Sequence, residues 1–167
     1  MIRDRWLWII ILLGAAVRLY GLGSRSLSND ECQQFWASQG NVLVSNRDIT
    51  LDPPLFAMLL HVWSLLGRSE TWLRLLPCLL GILGIPSVYA LSRRLCGHAA
   101  PARVAALFFA LAPYPIRYSQ SLRVYSLTLV LCALLPAAWL AAMEESSLRR
   151  RLQLALLAGA GLLAMYG

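Results

Sequence analysis

Asp30 and Glu31 stand side by side in the segment Ser28-Asn29-Asp30-Glu31-Cys32, just past a hydrophobic stretch long enough to enter a bilayer. With eight acidic residues in a 167-residue chain that is 59% hydrophobic, few carboxylates are available to place, and two fall together where a membrane helix would meet water. A carboxylate there is positioned to act as a general base on a substrate carried in the lipid. The same residues also fit a structural role. Ser28-x-x-Glu31 is a capping-box pattern, and acids in a first helical turn are favoured by the helix dipole. Spacing alone does not separate capping from catalysis, and the two are compatible, since Glu31 can cap while Asp30 faces a substrate. Both are candidate catalytic residues.

A second constellation is Asp52-Pro53-Pro54-Leu55. Asp followed by Pro is a common helix start, with Asp52 as N-cap and Pro53 as first helical residue. As a further carboxylate beside the acidic pair, Asp52 is also a candidate ligand for a divalent cation, the one cofactor the chain suggests. The third constellation runs from Tyr114 to Tyr125 and gathers Arg117, Tyr118, Gln120, Arg123 and Tyr125. Arginine grips phosphate oxygens from several directions, although snorkelling arginines in an aromatic belt account for many such clusters. Arg123 lies just inside an apolar run, where an unpaired charge costs about 2.5 to 3.5 kcal/mol at helix centre and less near the end, so an anionic partner is expected.

The elements that must position these groups follow from composition. A mean hydropathy of +0.62 and only 14% charged residues exclude a water-soluble domain and imply an all-α, polytopic transmembrane helix bundle. The apolar runs predict spans at about 6–22, 72–92, 102–118, 122–143 and 152–167. The run at 53–66 is too short to cross about 30 Å of hydrocarbon unaided. Basic clusters at Arg3 and Arg5, at Arg93, Arg94 and Arg103, and at Arg149 to Arg151 place the N-terminus in the cytoplasm. The loop 23–71 then lies outside and carries interfacial helices at about 29–39 and 53–66, with Phe35 and Trp36 on one side of the first and Ser38 away from them. Residues 113–121 make a short outer turn. A cleaved signal peptide at Gly14-Ala15-Ala16 is the alternative reading of the start. The net charge of +7 comes from arginines scattered among apolar runs, which suits anionic membrane lipids and not nucleic acid. The four cysteines are isolated and suit neither a disulfide frame nor a metal site.

The order Arg18-Leu19-Tyr20-Gly21-Leu22-Gly23, Asp30-Glu31, Pro53-Pro54-Leu55 with Leu60-His61-Val62-Trp63, Ser69-Glu70 with Leu73-Arg74-Leu75-Leu76, and Tyr118-Ser119-Gln120 with Arg123 and Tyr125 resembles the start of the GT-C membrane glycosyltransferases. It is most similar to the branch related to protein mannosyltransferases and the lipid A aminoarabinose transferase. The resemblance implies an inverting transfer of a sugar from a polyprenyl-phosphate donor to a hydroxyl of an acceptor glycan, lipid or protein, on the outer face of what would be a bacterial inner membrane. It makes Asp30 the base, and Arg123, Arg117 or Arg74 the group that stabilises the leaving phosphate. Two positions depart from the family pattern: Asp52 stands where His is common before Pro-Pro, and Ser121 where Glu is common after Tyr-Ser-Gln. The resemblance also implies further spans, so that 1–167 forms the N-terminal portion of a larger enzyme. Two other readings stay open. One is a non-catalytic relative that binds polyprenyl phosphate or a partner subunit, and the other is a transporter.

Overall fold

The computed structural model describes residues 4–40, 54–144 and 148–165, and among these there are helices and no strands. Helix α1 (Arg5–Leu19) is followed by α2 (Asn29–Gln39), α3 (Pro54–Ser64) and α4 (Glu70–Cys96). Then come α5 (Ala99–Leu111), α6 (Pro113–Ser119), α7 (Tyr125–Glu144) and α8 (Leu148–Met165). By length and composition α4 and the stretch Tyr125–Met143 are each able to cross a membrane, and α5 with α6 passes the same test as a bent pair, the form of a broken span or a re-entrant loop. The 15 residues of α1 give about 22 Å of helix, less than the apolar thickness of a bilayer.

Local chemistry sets the ends of these helices. Ser69 caps α4 by accepting from Trp72 N (3.2 Å), and Gly97 closes it at φ 72°, a left-handed conformation that favours glycine. Pro77 and Pro86 lie within α4, as membrane helices tolerate when neighbours shield the freed backbone. The apolar pattern predicts continuity from 102 to 118 and a turn at 113–121. Instead the chain bends by 57° between α5 and α6, and Pro113 starts a new helix. The cause is Pro113 itself: it holds Ala112 in extended backbone (ψ 133°) and has no N–H to offer Phe109 O four residues back.

Arg18, fully buried near the end of α1, repairs that break. Its Nη2 donates to Phe109 O (3.1 Å), its Nη1 to Ala110 O (2.8 Å) and Gly14 O (3.1 Å), and its Nε to Ser119 Oγ (3.2 Å) on α6. One guanidinium thereby satisfies the orphan carbonyls at the end of α5 and ties α1 to both helices of the bent pair. The close approach needs small residues. A Cβ on Gly81 would collide with Ser119 Oγ, and one on Gly14 with Ile85. Ala102, Ala106 and Ala110, four residues apart on α5, are all fully buried against α1 and α4.

Two apolar clusters hold the bundle. Leu7, Ile10, Ile85 and Tyr89 pack on the α5 alanines, while Phe56, Leu60, Leu73, Leu122, Leu127 and Leu131 join α3, α4 and α7. Trp63 and Trp72 stack with centroids 4.9 Å apart, and each indole N–H donates to the other residue's carbonyl. That clasp pins the short α3 to the start of α4. On α2 the buried face is Glu31, Gln34, Ala37 and Ser38, while Trp36 is exposed. Ser38 therefore faces inward, with its carbonyl 2.7 Å from His61 Nδ1 on α3, and Gln39 Nε2 donates to Ser64 Oγ at 3.0 Å. Polar pairing orients this helix together with Phe35, half-buried against the core.

Arg18→Met should destabilise the bundle by at least about 2 kcal/mol, because it leaves buried carbonyls without donors. Equilibrium unfolding in mixed micelles checks this, and a change within about 0.5 kcal/mol would show that α5 and α6 do not depend on Arg18.

Candidate active site

The first connection after α1, the start of α4 and the α6–α7 junction converge at one end of the bundle around Glu31. Its capping box with Ser28 is formed: Ser28 N donates to Glu31 Oε2 at 2.9 Å, and Glu31 N to Ser28 Oγ at 3.4 Å. Arg74 adds Nε to Oε1 (3.1 Å) and Nη2 to Oε2 (2.7 Å), a two-pronged pair whose side chains are only 5% and 7% exposed. Leu122 N donates to Oε1 at 2.8 Å. Arg74 also donates to the carbonyls of Arg25 and Ser26. Burial pushes the Glu31 carboxyl up, but the Arg74 hydrogen bonds, the Ser28 and Leu122 amides and the Arg74 charge outweigh it and hold the group down at about 2. Glu31 is thus an ionised anchor joining the first connection to α4 and to the segment leading into α7.

That anchor fixes what its neighbours can do. Asp30, one residue earlier in the same turn, turns its carboxylate away from the anchor and keeps 73% of its side-chain exposure. Its Oδ2 lies 3.7 Å from Arg123 Nη1, the anionic partner expected for that arginine. The pair lines a cavity of about 700 Å3 together with Arg25, Arg117, Tyr118 and Tyr125. Arg123 lies over the Tyr125 ring at 5.8 Å, and Tyr118 and Tyr125 meet at 4.6 Å, so an aromatic wall flanks the cations. Because Glu31 and Arg74 neutralise each other, the remaining charges among the described lining residues are Arg25, Arg117 and Arg123 against Asp30. Over the described residues the cavity is positive and open, with one accessible carboxylate, which is an arrangement for an anion beside a base.

The residues singled out from sequence fall into two groups. Asp30, Arg117, Tyr118, Arg123 and Tyr125 reach the cavity with exposed or partly exposed side chains. Glu31, Arg74 and Gln120 also line it but are occupied in holding it together. Gln120 Nε2 donates to the carbonyls of Arg18 (3.1 Å) and Tyr20 (2.9 Å) at the end of α1. Asp52 lies outside the described residues, and among those described no group of three or more His, Cys, Asp or Glu side chains gathers for a metal. Sequence reading missed Arg25 and Tyr20, which also line the cavity. Tyr20 falls in the Arg18–Gly23 motif and Arg25 in no motif, and the folded connection brings both there.

An all-helical bundle with several apolar helices and a polar pocket at one end defines a multi-pass membrane protein. The chain belongs to the dolichyl-phosphate-mannose-protein mannosyltransferase family, whose model matches residues 52–166, and it is accordingly a membrane glycosyltransferase of the GT-C type. Among curated proteins and among solved structures nothing matches it. The acidic pair lies ahead of the matched stretch, while Arg74, Arg117 and Arg123 lie within it.

Glu31→Gln should cost about 3 kcal/mol of stability by leaving Arg74 buried without its counter-charge. Since the folded carboxyl titrates at about 2, below its ordinary 4.5, that contribution is fully present above pH 4.5 and fades as pH falls toward 2. Unfolding of wild type and variant across pH 2–7 checks it: the gap should be flat at the top of the range and narrow at the bottom.

Proposed function

We propose that the protein transfers a sugar from a polyprenyl-phosphate donor to an acceptor hydroxyl, with inversion, and that Asp30 is the general base. The observation that carries this reading is the accessible Asp30 carboxylate set among Arg25, Arg117 and Arg123 in one cavity. In the proposed reaction the acceptor hydroxyl gives its proton to Asp30, and its oxygen attacks the anomeric carbon. The bond from that carbon to the donor phosphate oxygen breaks, and the electron pair leaves with the polyprenyl phosphate. Arg123, Arg117 and Arg25 hold the growing phosphate charge, which these positioned cations stabilise. The 3.7 Å contact between Arg123 and Asp30 is long for an ion pair, so a phosphate competes effectively for Arg123 and leaves Asp30 free to take a proton.

In this reading Glu31 and Arg74 are positioning residues, because hydrogen bonds already fill the Glu31 carboxylate. The acceptor is a glycan, a lipid or a protein hydroxyl. The arginine distribution favours a cytoplasmic N-terminus and an outward-facing pocket, in keeping with a bacterial inner membrane.

Asp30→Asn should lower sugar transfer in membranes by about 10²- to 10⁴-fold while unfolding stability stays within about 0.5 kcal/mol of wild type. Arg123→Ala should weaken both donor binding and turnover. Normal transfer by Asp30→Asn, measured with a polyprenyl-phosphate sugar, would remove the base assignment.

A further inference from the structure

The opposite end of the bundle carries a second polar pocket, unrelated to the acidic pair. It measures about 470 Å3 and lies where α1 begins, α4 ends and α5 begins, with Arg5, Arg93, Arg103, Asp4, Trp6 and Tyr89 in its lining. Its one acid is fully engaged. Asp4 Oδ1 caps Trp6 N (3.2 Å), and Oδ2 accepts from Tyr89 Oη (2.8 Å) and Arg103 Nε (3.0 Å). Arg5 and Arg93 remain as exposed guanidinium groups on the same lining, leaving an excess of two positive charges. Ala99, at the start of α5, also lines the pocket, and the residue before it, His98, makes no side-chain cap. The first-turn N–H groups of α5 therefore add to the positive field there.

An apolar groove of about 410 Å3 lies between α1 and α4, lined by Leu7, Trp8 and Ile11 on one side and Leu79, Leu83 and Pro86 on the other. The helical period continues these stripes into the basic pocket. On α4, Leu79, Leu83 and Pro86 are followed at spacings of three and four by Tyr89 and Arg93. On α1, Ile11, Trp8 and Leu7 lead back to Asp4. A cationic pocket thus heads an acyl-sized furrow along the same two helices, with Trp6 and Trp8, both more than half exposed, flanking it. Trp at this depth is typical of the headgroup boundary.

We propose that this end of the bundle binds one anionic phospholipid, its phosphate held by Arg5 and Arg93 and an acyl chain lying in the α1–α4 groove. The Asp4–Tyr89–Arg103 network forms the floor of the site and keeps the start of α1 against α4 and α5. The furrow explains why the ligand is a lipid and not a soluble anion, and the two uncommitted arginines explain why the headgroup is anionic.

Native mass spectrometry of the detergent-purified protein, titrated with phosphatidylglycerol and with phosphatidylcholine of identical chains, tests it. The wild type should bind phosphatidylglycerol at least tenfold tighter, and Arg5→Gln with Arg93→Gln should bring the two lipids level. Leu83→Trp, at a half-exposed groove position, should weaken phosphatidylglycerol several-fold without altering a thermal shift produced by inorganic phosphate. Equal binding of the two lipids by wild type would overturn the proposal, as would retention unchanged in both variants. Displacement of phosphatidylglycerol by equimolar inorganic phosphate would assign the pocket to a soluble anion instead.

Discussion

The Glu31–Arg74 pair is the constraint on which the working end of this bundle depends. A carboxylate and a guanidinium, each almost fully buried, are stable in that setting because they pair with each other and with nearby backbone groups. Arg74 takes the carbonyls of Arg25 and Ser26, and Glu31 takes the amides of Ser28 and Leu122. Three separate stretches of chain are thereby held to one charge pair. Asp30 is then aimed into the cavity by the capped first turn of α2, and Arg123 by the segment tied at Leu122. The chemistry proposed for the cavity depends on that anchoring, which sets where both groups enter it.

Arg18 has the corresponding role deeper in the bundle. A kinked membrane span exposes carbonyls that water cannot reach, and here a single arginine from the neighbouring helix supplies the donors. Because α6 carries Arg117 and Tyr118, the repair also sets where those side chains enter the cavity. Gln120, spanning the end of α1, completes the link. Two buried cations, Arg18 and Arg74, therefore serve the architecture, while the less buried Arg117 and Arg123 line the cavity.

Much of this was legible in the residues. Long apolar runs marked α4 and α7, Ser28 and Glu31 announced the capped start of α2, and the cost of an apolar setting called for an anion beside Arg123. What was not legible comes first from long-range pairing. Glu31 and Arg74 are 43 residues apart, and Arg18 and Ser119 are 101 apart, so their pairing leaves no local pattern. Arg74 and Gln120 were grouped with the phosphate binders because arginine and glutamine suit that task anywhere, and only packing shows them already spoken for. The break at Ala112 was hidden for a different reason: a proline inside a run of apolar residues bends some spans and is absorbed by others, as Pro77 and Pro86 are in α4.

A double-mutant cycle between Glu31→Gln and Arg74→Met, read by unfolding in mixed micelles, addresses the central claim most directly. The account predicts an interaction energy of about 2 kcal/mol, with either single change costing nearly as much as both. Additive losses, with coupling below about 0.5 kcal/mol, would show that the pair does not hold this end of the molecule together.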